Sequence, residues 1–375
     1  MACTRIPASL VKLEQDVFDY ITDEDGVKTP VKRFTWTNRN NIAVQVITYG
    51  ATITSIKIPD KNGIIDEIVL GFNNIAGYQS TANPYFGATI GRVANRIGYA
   101  KFSIDGQQYQ VSANLNGEHQ LHGGFKGFDK VLWEAYAVGS KVIMSYDSAD
   151  GEEGFPGNLL VNLTFELTAE NEFKMVYKAT TTKPTYVNLT NHSYFNLAGD
   201  NKGAEELYKH VVSINANAIT EVDANAIPTG KILPVSGTIF DLQIPKILGD
   251  VIHNIPENPG YDHNYCVNKG IWDKLLFVAR VNHPPTGRTL EVYSDQPGVQ
   301  FYTSNFIPSD PKDFKGDTST LQTVSGKNGN YYKHGAFCLE TQNYPDAANH
   351  RNFPNPIIYP GQSYQHEAVF KFYIQ

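Results

Sequence analysis

Two neighbouring stretches, Val161-Asn-Leu-Thr-Phe-Glu-Leu and Phe173-Lys-Met-Val-Tyr-Lys-Ala, alternate apolar and polar residues with Val176 the one exception. A period of two belongs to a strand with one buried and one wet face, and the polar link 168–172 turns the two into an antiparallel pair. No 3.6-residue apolar period is sustained anywhere, so helices are not expected to build the core. Further short apolar or alternating runs lie at 43–49, 52–58, 290–293, 299–302, 337–339 and 369–374, the last tying the C-terminus into a sheet. Turn clusters such as Asp60-Lys61-Asn62-Gly63 separate them, and Asp105-Gly106 supplies the positive φ of a tight hairpin within Phe102-Ser-Ile-Asp-Gly-Gln-Gln-Tyr. The 22 Tyr, 20 Phe, 31 Gly and 20 Pro point the same way. The predicted fold is all-β, a large antiparallel β-sandwich of two sheets packed face to face, spanning 32–375 as one domain. Residues 1–31, polar and carrying Asp23-Glu24-Asp25, read as an N-terminal extension, either solvated or added as an edge element.

The 31 basic and 38 acidic residues give a net charge of −7 without long runs, which argues against nucleic acid or an anionic membrane surface as partner. No stretch approaches a membrane span, and residues 1–20 mix charges into what would have to be a signal peptide's apolar core. Cys3, Cys266 and Cys338 are too few and scattered for a disulfide framework or a cysteine-rich zinc site. The expectation is a cytoplasmic protein, a monomer or weak dimer, whose partner is a small neutral molecule.

Chemistry-bearing residues gather in a few stretches. In Gly335-Ala-Phe-Cys-Leu-Glu-Thr-Gln-Asn-Tyr-Pro-Asp, residues 336–339 read as a buried strand and those after Glu340 as a turn. Glu340 then sits at a strand mouth, where packing fixes the backbone while the carboxylate meets a ligand, as suits a general base. An isolated glutamate is usually a surface residue, so the reading depends on its companions. Val187-Asn-Leu-Thr-Asn-His-Ser-Tyr-Phe-Asn-Leu sets His192 among amides, hydroxyls and aromatics, the makings of a polar pocket. Gln120-Leu-His-Gly-Gly sets His122 beside two glycines that let the backbone approach a bound molecule. It is not the oxyanion loop of an α/β-hydrolase, because the G-x-S-x-G elbow is absent, and His119-x-x-His122 lacks a clear third metal ligand. Asn95 and Arg96 offer donors, Asp262 an acceptor for paired hydroxyls, and Gln296 an amide just ahead of a strand. Acid, base, amides, an arginine and aromatics together meet the needs of a polyhydroxylated ring.

The segments Gly91-Arg-Val-Ala-Asn-Arg, Leu121-His-Gly-Gly, Asp150-Gly-Glu-Glu-Gly-Phe-Pro-Gly, Asn188-Leu-Thr-Asn-His-Ser-Tyr-Phe-Asn-Leu, Tyr261-Asp-His-Asn, Gln296-Pro-Gly-Val-Gln-Phe-Tyr and Cys338-Leu-Glu-Thr-Gln-Asn follow one another in this order. With them the chain resembles the aldose 1-epimerases, or galactose mutarotases, from about Lys32 to the C-terminus. The resemblance implies Glu340 as catalytic base and His192 as acid, with Asn95, Arg96, His122, Asp262 and Gln296 binding or supporting the substrate. It also implies a large β-supersandwich, no cofactor, no metal, and a free hexose substrate, usually galactose. In that chemistry a base takes the C1 hydroxyl proton while an acid protonates the ring oxygen, so the ring opens, rotates about C1–C2 and recloses. The expected charge states are a His192 with raised proton affinity and a Glu340 kept ionised by hydrogen-bond donors. The rivals are a glycoside hydrolase using Asp262 with Glu340, a sugar-binding or sensor protein without chemistry, and a hexose-phosphate epimerase, which would need further basic residues at the pocket.

Overall fold

The computed structural model describes residues 10–256, 259–270, 275–313 and 323–375. Its first sheet runs in chain order through β1 (Val11–Thr22), β2 (Lys28–Asn38), β3 (Ala43–Ile47), β4 (Thr52–Pro59) and β5 (Ile65–Glu67). The polar N-terminal segment is thus an edge strand, paired with β2 from Val11↔Asn38 to Thr22↔Lys28 with a slip between Val17 and Asp19. Its charges and bulge suit an edge that must not recruit another strand. β2 continues through position 31, where composition suggested a boundary, so one ladder joins the two sides. The structure of residues 1–9, Cys3 among them, lies outside the described residues.

A second sheet holds β6 (Ala216–Val222), β7 (Pro228–Pro234), β8 (Asp262–Val267), β9 (Gly298–Tyr302) and β10 (Cys338–Gln342), in the spatial order β7-β6-β8-β9-β10. The third sheet has nine strands, and β11 (Ser363–Ile374) lies inside it, between Glu172–Thr181 and Arg288–Ser294. The period-two pair forms as expected, Leu159–Leu167 against Glu172–Thr181 in antiparallel register from Leu159↔Thr181 to Leu167↔Phe173. The predicted antiparallel sandwich of two large sheets is therefore built, among the described residues, from three large antiparallel sheets with five two-stranded ones beside them. The hairpin at 101–110 turns through Asp105 (φ 52°) and Gly106 (φ 83°).

Alternation along the strands of the second sheet places the site. Tyr265, Val267, Val299, Phe301 and Leu339 join one hydrophobic core with residues of the nine-stranded sheet such as Leu163, Val292 and Phe370. Each such burial contributes about 1.5–3 kcal/mol, which holds β8, β9 and β10 rigidly in register. The intervening residues, Asp262 and Asn264 on β8, Gln300 and Tyr302 on β9, Glu340 and Gln342 on β10, face the other way. The same short strands thus make core on one face and chemistry on the other. Cys266 and Cys338 are buried free thiols, and no helix among the described residues is long and apolar enough to cross a membrane.

Candidate active site

Glu340 sits in the middle of β10, opposite Gln300 of β9, and not at the strand's mouth as its sequence context suggested. All five residues of β10 are buried, so the strand runs on through Thr341 and Gln342 and the turn expected from Asn343, Pro345 and Asp346 begins after it. Thr341 points to the opposite face, where its Oγ1 lies 2.9 Å from His366 Nε2. The other His366 nitrogen, Nδ1, is 3.1 Å from Leu189 O and donates to it, since a carbonyl only accepts. Thr190 Oγ1 donates to Thr341 O at 2.8 Å. This clamp ties the strand carrying Glu340 to the segment carrying His192.

His192 follows the bridge of Thr190–Asn191 with Thr89–Ile90. Its own N–H donates to Ala88 O (2.9 Å) and its carbonyl accepts from Gly87 N–H (3.0 Å). With its backbone pinned on both sides, the ring is held between aromatic faces, Tyr194 at 4.9 Å and Tyr85 at 6.0 Å, both nearly parallel to it. Tyr302 meets it edge-on. His192 Nε2 lies 3.6 Å from Glu340 Oε1, while His192 Nδ1 and Glu340 Oε2 are buried without a hydrogen-bond partner among the described residues.

Three more predicted residues arrive on the 95–96 and 120–122 segments, which pair through Leu121↔Arg96. Asn95 (φ 61°) and His122 (φ 50°) both adopt left-handed backbone, and His122 Nδ1 accepts from Asn95 N–H at 3.2 Å. Gly123 makes this possible: its φ is +87°, and a Cβ there would lie 1.9 Å from Gly91 O. Arg96 reaches Asp262, with Nη2 3.7 Å from Oδ2, and Asp262 Oδ1 also accepts from Gln300 Nε2 at 2.7 Å. Asn95, Arg96, His122, His192, Asp262, Tyr302 and Glu340 all line one cavity of about 410 Å³.

Gln296 is not brought to this cavity. Its Nε2 donates to Asp295 Oδ1 and Gln365 O, and it lines a separate hollow with Asn343. Pro297 and Gly298 intervene before β9 is under way, so the amide that serves the site is Gln300, inside the strand. Sequence reasoning also left out the aromatic walls Tyr85, Tyr194 and Tyr302. Two of these stand within the quoted motifs, where an aromatic beside a candidate acid and one beside a site amide were available signals.

Charge states differ from expectation. Burial pushes the His192 imidazole down to about 3, and burial, aided by the negative charge of Asp262 and opposed by Arg96, pushes the Glu340 carboxyl well above its usual range. A sealed pocket penalises whichever form is charged, and it penalises both groups here. Both shifts favour a neutral imidazole beside a protonated carboxyl, an arrangement in which one proton held between the two groups supplies one donor and one acceptor. His122 is also driven well below its ordinary value by burial. Donor atoms of His122, His192 and Glu340 lie within 4.8 Å of one another, close enough to consider a metal. However, His122 Nδ1 already accepts from Asn95, so the neutral ring keeps its proton on Nε2 and has no free lone pair to offer. The trio fits a molecule that accepts and donates hydrogen bonds better than it fits a cation.

The sequence matches the family described as aldose 1-epimerase over residues 32–371. It is 46% identical over 334 residues to a protein of Bos taurus named galactose mutarotase, covering 89% of this chain and 92% of that one. It is 36% identical over 368 residues to one of Haemophilus influenzae named aldose 1-epimerase, covering 96% and 99%. Among solved structures, a GalM/aldose epimerase homologue from C. elegans superposes with a TM-score of 0.78 at 29% identity, over 90% of this chain and 97% of that one. The fold of a galactose 1-epimerase from Lactobacillus acidophilus is also similar, at TM-score 0.76 and 22% identity over 97% and 99% of the two chains.

Proposed function

The chain belongs to the aldose 1-epimerase family, and we propose that it interconverts the α and β anomers of a free hexose such as D-galactose or D-glucose, with Glu340 and His192 moving the protons. The observation that carries this reading is the 3.6 Å separation of His192 Nε2 and Glu340 Oε1 on a buried cavity floor. The C1 hydroxyl and the ring oxygen share one carbon, so an acid and a base serving both must be neighbours. A glycosidase instead needs two carboxylates about 5–9.5 Å apart and room for a leaving group.

In the reactive arrangement the shared proton lies on His192 and Glu340 is a carboxylate. Glu340 takes the C1 hydroxyl proton as His192 gives its proton to the ring oxygen, and the C1–O5 bond breaks to leave an aldehyde. Rotation about C1–C2 presents the other carbonyl face; Glu340 then returns its proton to the C1 oxygen while His192 recovers one from the C5 hydroxyl that closes the ring. Each positioned transfer is worth about 10²–10⁴-fold. Asp262, held by Arg96 and Gln300, supplies an acceptor for ring hydroxyls; Arg96, His122 Nε2–H and Asn95 supply donors, and the tyrosines pack against the sugar's apolar faces. The neutral substrate needs no further cation in the cavity, unlike a hexose phosphate. Buried free thiols at Cys266 and Cys338 support a reducing compartment, the cytoplasm, and we read the enzyme as a monomer or weak dimer.

The test is polarimetry of freshly dissolved α-D-galactose. Rotation should decay far faster with protein than in buffer, and p-nitrophenyl galactosides should release no phenol. Phenol release without faster decay would overturn the reading in favour of a hydrolase.

A further inference from the structure

The sheet face around Glu340 is more polar than the sugar alone requires. By register, Asn264, Gln300 and Glu340 form one cross-strand row, and Cys266, Gly298 and Gln342 form the next. Both amide atoms of Asn264, both of Gln342, Gln300 Oε1, Glu340 Oε2 and Arg96 Nε are buried with no hydrogen-bond partner among the described residues. Asn264 and Gln342 are 3% and 0% exposed, and neither belongs to the cavity wall, so a bound sugar does not reach them. Gly298 makes room for this arrangement, since a Cβ there would lie 2.6 Å from Asn264 Oδ1. Buried polar atoms are nearly always paired, and where the protein provides no partner, ordered water does.

We infer that Asn264 and Gln342 are positioning residues: their amides orient water held between them so that its O–H donates to Glu340 Oε2 and favours the ionised carboxylate. The inference rests on Glu340 being the base. It answers a difficulty of the site, because the pair holds one proton in either of two arrangements and burial favours the unreactive one, with the proton on the carboxyl. The titratable groups facing Glu340 are His192, His122, Asp262, Arg96, Tyr194, Tyr302 and Cys338. Of these only Arg96 brings a fixed positive charge, and Asp262 opposes it. Two neutral amides, Asn264 in the row of Glu340 and Gln342 in the next, add donors without adding a charge that would bind elsewhere.

The experiment uses the full chain with the near-isosteric variants Gln342→Met and Asn264→Leu, which remove the amides without adding a charge. ¹⁵N NMR of the imidazoles, with His192 assigned through His192→Asn, reads how much imidazolium the resting protein holds at neutral pH. Polarimetry reads kcat and KM. Each variant should lower the His192 imidazolium fraction and reduce kcat about tenfold or more while KM stays within about twofold. Unchanged His192 signals and unchanged kcat, with a raised Tm from the removed unpaired amides, would overturn the inference. If the wild type binds galactose but does not accelerate mutarotation, the epimerase reading fails, and the NMR arm still decides whether the amides act on the pair.

Discussion

Replacing Glu340 by Gln separates the proton acceptor from the shape of the site. Burial already pushes this carboxyl well above its usual range, so an amide matches the resting acid in volume and nearly in charge. Its Oε2 has no partner among the described residues to lose, water there can donate to an amide oxygen as well, and the strand contacts around it stay in place. Folding stability should therefore change by less than about 1 kcal/mol, a shift of roughly 2–4 °C or less in Tm. Turnover should respond differently, because the carboxylate is needed only when the C1 hydroxyl gives up its proton. Loss of a general base typically costs about 10²–10⁴-fold, or roughly 3–5 kcal/mol of barrier. No substitute base is at hand, since the other carboxylate in the cavity, Asp262, is engaged by Arg96 and Gln300. Galactose affinity by calorimetry should stay within about threefold, and polarimetry should show kcat down at least about a hundredfold. Combining Glu340→Gln with His192→Asn should cost little more than the worse single change, because the two act as a unit. A Glu340→Gln protein keeping more than about a tenth of wild-type turnover would refute the assignment.

Three further outcomes follow from the same structure. Because the pair works with one shared proton, kcat/KM should be bell-shaped: it falls on the acid side as a second proton is added, with that limb near the His192 value of about 3, and on the alkaline side as the shared proton is lost, above the usual carboxylate range. An acid limb near the ordinary histidine value in a kcat/KM series would contradict the desolvation argument. Arg92→Lys should destabilise the fold by about 3–5 kcal/mol in denaturant melts, since Arg92 donates to Ser148 Oγ, Ser148 O, Ala149 O and Pro156 O at 2.7–3.0 Å and one ammonium cannot serve four buried acceptors. Gly123→Ala should raise KM for galactose about tenfold or more in polarimetric assays, because its Cβ would displace the turn presenting His122; unchanged KM would place His122 outside sugar recognition.

The sequence revealed the wet-faced strands and the residue types of the site, but not where the site sits along its own strands. Residues 159–167 and 172–181 alternate visibly because one face meets solvent. β9 and β10 are buried on both faces, so their polar side chains break the apolar run without producing a period. That is why the strand looked as if it ended at Glu340, and why Gln296 was preferred to Gln300 within a single motif. A strand covered on both sides carries polar residues only where buried chemistry must be supported, which makes an interrupted apolar run between core strands a signal of its own. Charge states lie a step further from the sequence. Glu340 and His192 are placed by motif, yet their proton affinities follow from how completely three sheets and the 95–96 and 120–122 segments exclude water, which no local pattern encodes. The reaction needs the pair ionised and the burial that aligns it favours the neutral form, so the site must carry donors beyond those that touch the sugar. The buried amides of Asn264 and Gln342 are the groups positioned to provide them.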